Sequence, residues 1–201
     1  MPAATIQSGS LLARLRTETR PEHEKLERGL DLLRPGLTLG EYICLVERFF
    51  GFYAPWEEAL QPFFPRWLPD YDEERKKTPK LAKDLQFFGL PIGDVRLCES
   101  LPVCAGFADL LGGLYVAEGA TLGGQLIARH LERSLGLSGG NGYTFFSSYG
   151  PSVGRKWTEF RDLLRRKAEP AMEDQIVVSA RQVFQALHGW LCCSDQYGCR
   201  V

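Results

Sequence analysis

Long uninterrupted apolar runs are missing from these 201 residues. The most apolar stretch, 107–128, is broken by Asp109 and Glu118, which argues against a membrane span. The opening Met1-Pro2-Ala3-Ala4-Thr5 lacks a basic patch followed by an apolar segment, so no secretory leader is expected. Neither sign of charge dominates. Lys and Arg total 24 against 25 Asp and Glu, a net −1, which argues against a broadly basic nucleic-acid binder. The six cysteines include no Cys-x-x-Cys, and Cys192-Cys193 suits neither a zinc knuckle nor an ordinary disulfide framework. Their expected use is as small apolar residues in a reduced, cytoplasmic chain. The last four residues, Gly198-Cys199-Arg200-Val201, make no prenylation box.

Alternating strand patterns are also scarce, and helical periodicity fills the chain instead. Leu12, Leu15, Leu26, Leu30 and Leu33 mark an apolar stripe. Thr19-Arg20-Pro21-Glu22 has the form of a capping box, so the stripe belongs to two helices or to one kinked at Pro21. Thr38-Leu39-Gly40-Glu41 predicts a second box, opening a helix that passes Pro55 and ends near Leu60. The aromatics crowded into 49–71 read as a core layer, because no basic residues interleave them as in a base-stacking platform. A charged helix over 72–88, interrupted at Thr78-Pro79, precedes a connector and a long helix over about 102–135. Residues 138–151 are loop by composition, and helices near 152–167 and 171–191 follow. The expectation is an all-α, single-domain multi-helix bundle over 1–201, with six or seven helices and flexible tails at 1–9 and 193–201.

Histidine numbers only three. His23 and Glu27 are one turn apart, and His23 shares a phase with Leu26, Leu30 and Leu33, so its imidazole is expected to face the interior. Such a His is either a satisfied core residue or a metal ligand whose other N–H is held by the carboxylate. His130 reads as a surface residue, and His188, between Phe184 and Leu191, is the competing buried one. The second unusual feature is Gly112, Gly113, Gly119, Gly123 and Gly124 within one helix. Each costs a helix about 0.5–1 kcal/mol relative to Ala. They serve either close helix packing or a flat ligand pressed against bare backbone. An imidazole on one helix and a side-chain-free backbone on another would suit a planar metallated macrocycle, of which haem is the commonest.

Two motifs then carry a resemblance. The segment Leu15-Arg16-Thr17-Glu18-Thr19-Arg20-Pro21-Glu22-His23-Glu24-Lys25-Leu26-Glu27 resembles the proximal helix of haem oxygenases. Leu114-Tyr115-Val116-Ala117-Glu118-Gly119-Ala120-Thr121-Leu122-Gly123-Gly124-Gln125 resembles their distal helix, closest to the bacterial enzymes that accompany bacteriophytochromes. The resemblance implies a haem oxygenase-type bundle with haem b sandwiched between the two helices, as cofactor and as substrate. Haem would be opened to biliverdin with release of CO and ferrous iron, using O2 and an external electron donor, protein or small reductant. A bacteriophytochrome receiving the product is a further implied partner.

By the same resemblance His23 is the axial iron ligand and Glu27 its hydrogen-bonded neighbour. Gly119 and Gly123 lie against the distal haem face, with Ala120 and Gly124 in the same contacting stretch. Arg16 and Tyr115 approach the propionates, and a late helix adds a basic partner, Lys156 or Arg155. The pattern departs at Ala120, where mammalian relatives carry an Asp that organises distal water. Some bacterial relatives place a polar residue one step later, which gives that role here to Thr121. Two other classes share these features: a haem carrier without turnover, and a haem-independent enzyme of the same fold acting on pyrimidine or quinone-like substrates.

Overall fold

A computed structural model describes residues 10–71 and 73–192; the tails expected at 1–9 and 193–201 lie outside the described residues. Helix α1 (Leu11–Glu18) and α2 (Arg20–Leu30) are separated by Thr19 alone. The capping box expected there does not form. The helical ladder runs on through the joint, from Thr19 N to Leu15 O and from His23 N to Thr19 O, both 3.0 Å. The Thr19 hydroxyl does not turn forward to cap α2 but donates back to Leu15 O at 2.7 Å.

The second box does form. Thr38 Oγ1 accepts from Glu41 N, and the Glu41 carboxylate accepts from Thr38 N at 2.8 Å. It opens α3 (Leu39–Leu60), which continues past Pro55 and buries Phe49, Phe50, Phe52, Tyr53 and Trp56 as the aromatic core layer. After the short α4 (Phe64–Trp67), helix α5 covers only Thr78–Phe87. The charged stretch before it makes a single 3-10 turn, Glu73–Arg75, because Arg75 and Lys77 turn into the protein.

Helix α6 (Phe107–Leu135) starts later than the expected 102. Its start is fixed by Asp109, whose carboxylate accepts from Ala105 N and Gly106 N at 2.9 and 3.1 Å. One helical turn, α7 (Thr144–Ser147), lies inside the expected loop, with Asp84 of α5 accepting from Thr144 N and Phe145 N. Helices α8 (Val153–Lys167) and α9 (Glu173–Cys192) complete the bundle. Seven of these helices have at least eight residues, and the described residues contain no strand. None of the described helices is long and apolar enough to cross a membrane. Cys98 and Cys104 are free thiols, but Cys44 is disulfide-bonded, which corrects the expectation of a wholly reduced set.

Helices α6 and α2 both lie along α9. Asp109 meets Gln175 and Ser179, and Gly113 lies against Val183, so α6 advances along α9 in the same sense as the chain. Glu22 meets Arg181 and Gln185, and Gly29 meets His188 and Cys192, so α2 advances the same way.

Candidate functional site

The two helices meet where the sequence had placed no contact. Tyr115 of α6 comes within electrostatic reach of Thr19 and Arg16. Burial pushes the Tyr115 hydroxyl up from its ordinary range, partly offset by Thr19 and by the Arg16 charge. From this junction both helices continue with residues at matched intervals. His23 and Glu27 stand one and two turns beyond Thr19 on α2; Gly119 and Gly123 stand one and two turns beyond Tyr115 on α6.

His23 does not face the interior as its phase had suggested. Its side chain is 48% exposed, the ring sits edge-on to Phe184 of α9 at 5.5 Å, and Nε2 lies 3.5 Å from Glu27 Oε1. The core side of α2 is taken by Leu26, which leaves the imidazole on the open side. The neighbouring Glu22 anchors this part of α2, accepting from Arg181 Nε at 2.7 Å. Burial opposes the Glu22 charge, but its hydrogen bonds prevail and hold the carboxyl below the usual range. His188 is partly buried under Gly29 of α2, and that burial lowers its pKa. His130, expected at the surface, buries its Nε2 without a hydrogen-bond partner among the described residues.

The five glycines of α6 divide into two groups. A Cβ on Gly112 would overlap the Ile176 carbonyl of α9, and one on Gly113 would stand 2.9 Å from the Trp56 ring. Gly124 lies against the Phe146 carbonyl with no room for a Cβ. These three serve close packing. At Gly123, by contrast, a Cβ would meet nothing within 4 Å, and at Gly119 only the Trp157 ring edge at 4.0 Å. Ala120, Leu122 and Leu126 are exposed beside them. Trp157 of α8 closes one side, its ring 5.9 Å from Tyr115.

Three expected site residues lie elsewhere. Gly124 faces α7, one helical step (about 100°) round from Gly123, so it belongs to the core. Thr121 is also turned inward, only 6% exposed, and its hydroxyl donates to Glu118 O at 2.7 Å. Lys156 shares the buried phase of α8 with Val153, Phe160 and Leu164, and its ammonium is 2.7 Å from Glu74. Its alternative, Arg155, points to solvent beside Glu159 at 2.7 Å. Arg161, which the sequence did not single out, sits one turn beyond Trp157. Its Nη2 donates to Thr158 at 3.3 Å, while its Nε is buried without a partner among the described residues.

Glu118 was also missed. It is 1% exposed and accepts from Arg75 at 2.6 Å, Lys77 at 3.0 Å, Tyr149 at 2.9 Å and Tyr71 at 3.3 Å. Burial lowers the Lys77 ammonium's pKa, and burial followed by the Glu118 charge raises both phenols. A carboxylate interrupting the apolar 107–128 stretch was the one available sequence signal.

Residues 98–192, which contain the glycine-bearing helix and its packing partners α8 and α9, match the haem oxygenase family model. Over that stretch the chain is similar to haem oxygenases. A haem oxygenase from Xanthomonas campestris pv. campestris (strain 8004) is 27% identical over 149 residues, covering 73% of this chain and 86% of that protein. The fold agrees with the haem oxygenase of Leptospira interrogans (TM-score 0.75, 23% identity, covering 92% of this chain and 99% of that one). It also agrees with haem oxygenase-1 of the cyanobacterium Synechocystis sp. PCC6803, solved in complex with haem (TM-score 0.72, 19% identity, 91% of each chain). The haem oxygenase architecture is thus an all-helical bundle here as well.

Proposed function

We propose that this chain takes up haem between α2 and α6 and opens it to biliverdin, releasing CO and ferrous iron, with O2 and electrons from an external donor. The observation that carries the proposal is the pair of matched rows leaving the Thr19–Tyr115 junction: an exposed imidazole with a carboxylate on one, bare backbone with open space before it on the other. Haem is the substrate, and once bound it supplies the oxygen chemistry itself.

The chain's own residues hold and orient. His23 binds iron through one ring nitrogen, and Glu27 accepts the N–H of the other, fixing the imidazole. Gly119 and Gly123 allow close backbone approach and leave room for O2; Ala120 adds only a methyl to that face. Arg16 and Tyr115 meet the propionate carboxylates as cation and hydrogen-bond donor. Arg161, with its unpartnered Nε, takes the late-helix role expected of Lys156 or Arg155. Since Thr121 faces inward, water on the open face is held by the backbone that the absent Cβ atoms leave accessible.

The test is a haem titration followed by aerobic turnover with ascorbate and product analysis. A Soret band and biliverdin are expected. In His23→Ala the His-type ferric spectrum should be lost and then restored by added imidazole. No haem uptake would overturn the proposal. Uptake without biliverdin would identify a carrier.

A further inference from the structure

Gly119 and Gly123 have no side chains with which to set their own distance from a ligand, so their placement must come from the opposite side of the helix. That side is fastened at successive points. Glu118 is clamped by four donors, Gly124 rests on the Phe146 carbonyl, and the Gln125 amide donates to Ser147 O at 3.0 Å. Among these only Glu118 is charged, and it directly precedes Gly119. Its partners Arg75 and Lys77 come from the connection between α4 and α5, and Tyr149 from the loop before α8. Arg75 also reaches α8, donating to Lys156 O at 3.3 Å and to Glu159 at 2.9 Å. One carboxylate thus joins three separate parts of the fold at the residue before the open face.

A buried ion cluster is a poor device for stability alone, since well-packed apolar side chains of equal volume often serve as well or better. What four directed donors specify, and apolar contacts do not, is position. We propose that Glu118 is a positioning residue that sets the height of Gly119–Gly123 over the bound substrate; the inference rests on the haem-binding reading above. Gly119 moves with Glu118 because they share a peptide bond. Displacements on the order of 1 Å at a reacting centre cost about 100-fold in rate.

The experiment compares haem-loaded wild type, Glu118→Gln and Tyr149→Phe. The first variant keeps the side-chain volume and removes the charge; the second keeps the charge and removes one donor. Both should bind ferric haem with the wild-type His-ligand spectrum. Affinity for cyanide, a small probe entering on the glycine side, should change by about tenfold or more in Glu118→Gln, with a fall in biliverdin formation per bound haem. Tyr149→Phe should shift both quantities in the same direction by a smaller factor. Should Glu118→Gln not fold, the cyanide affinity and turnover of Tyr149→Phe decide the matter. Wild type that turns haem over, with variants matching it in both quantities and differing only in apo stability, would overturn this inference alone. Wild type that takes up no haem would overturn the functional reading and this inference together.

Discussion

Gly123 and Gly124 are neighbours in sequence and opposites in structure. A methyl added to Gly123 would project into open space, while one added to Gly124 would strike the Phe146 backbone. The same contrast extends along α6: 119, 120, 122, 123 and 126 are exposed or half-exposed, while 117, 118, 121, 124 and 128 are buried. The fastenings lie on the buried row and on Gln125 beside it, and none lies on the open row. Glycine on one helix therefore answers two different demands, close packing behind and an accessible backbone in front. Composition alone could not separate them.

The largest effect should follow from filling the buried row. Gly124→Val must displace the α7 backbone, at a cost of about 3 kcal/mol in apo-protein stability by denaturant midpoint. An unchanged midpoint would erase the contrast. Gly123→Val should do the reverse. Its apo midpoint should stay within about 0.5 kcal/mol of wild type, since Val is a slightly better helix former than Gly. Ascorbate-driven turnover per bound haem should fall at least tenfold, about 1.4 kcal/mol of barrier. Normal turnover would remove Gly123 from the ligand face.

Thr121→Val sharpens the boundary between the rows. Losing one buried hydroxyl bond should cost about 1 kcal/mol of stability. Turnover per bound haem should be unchanged, because the hydroxyl serves Glu118 O behind the helix. Slowed turnover with full haem loading would return Thr121 to the distal face.

The last effect concerns pH and lies off both rows. Burial, followed by the nearby Lys77 charge, brings the Lys80 ammonium down to about 8, against 10.5 ordinarily. Between those values the unfolded chain binds more protons than the folded one, so Lys80 contributes a stability that rises with pH in that window. Lys80→Met should flatten the rise of the denaturant midpoint from pH 8 to 10. An identical slope in both proteins would show that Lys80 titrates normally.

Much of the fold was legible because its signals are local. The Thr38–Glu41 box, the helix through Pro55 and the long glycine-bearing helix each depend on residues within a few turns of one another. The Thr19 box failed for an equally local reason that the motif does not encode, namely a hydroxyl that bonds back to Leu15 O in the preceding turn. The site was legible in outline through the spacing of His23 with Glu27 and Gly119 with Gly123. Lys156 could have been set aside by phase, since Val153, Phe160 and Leu164 mark the buried side of α8. Glu118 could not have been partnered. Arg75, Lys77 and Tyr149 lie 43, 41 and 31 residues away, and no spacing rule connects them.

Thr19 and Tyr115 stand at one end of both rows, and distance along each helix can be reckoned from them. With a rise of about 1.5 Å per residue, His23 and Gly119 sit roughly 6 Å from them and Glu27 and Gly123 roughly 12 Å. Any small rotation of α2 against α6 about that end moves the outer pair twice as far as the inner pair. Whatever opening the Glu27–Gly123 end undergoes, the imidazole on the shorter arm takes half of it.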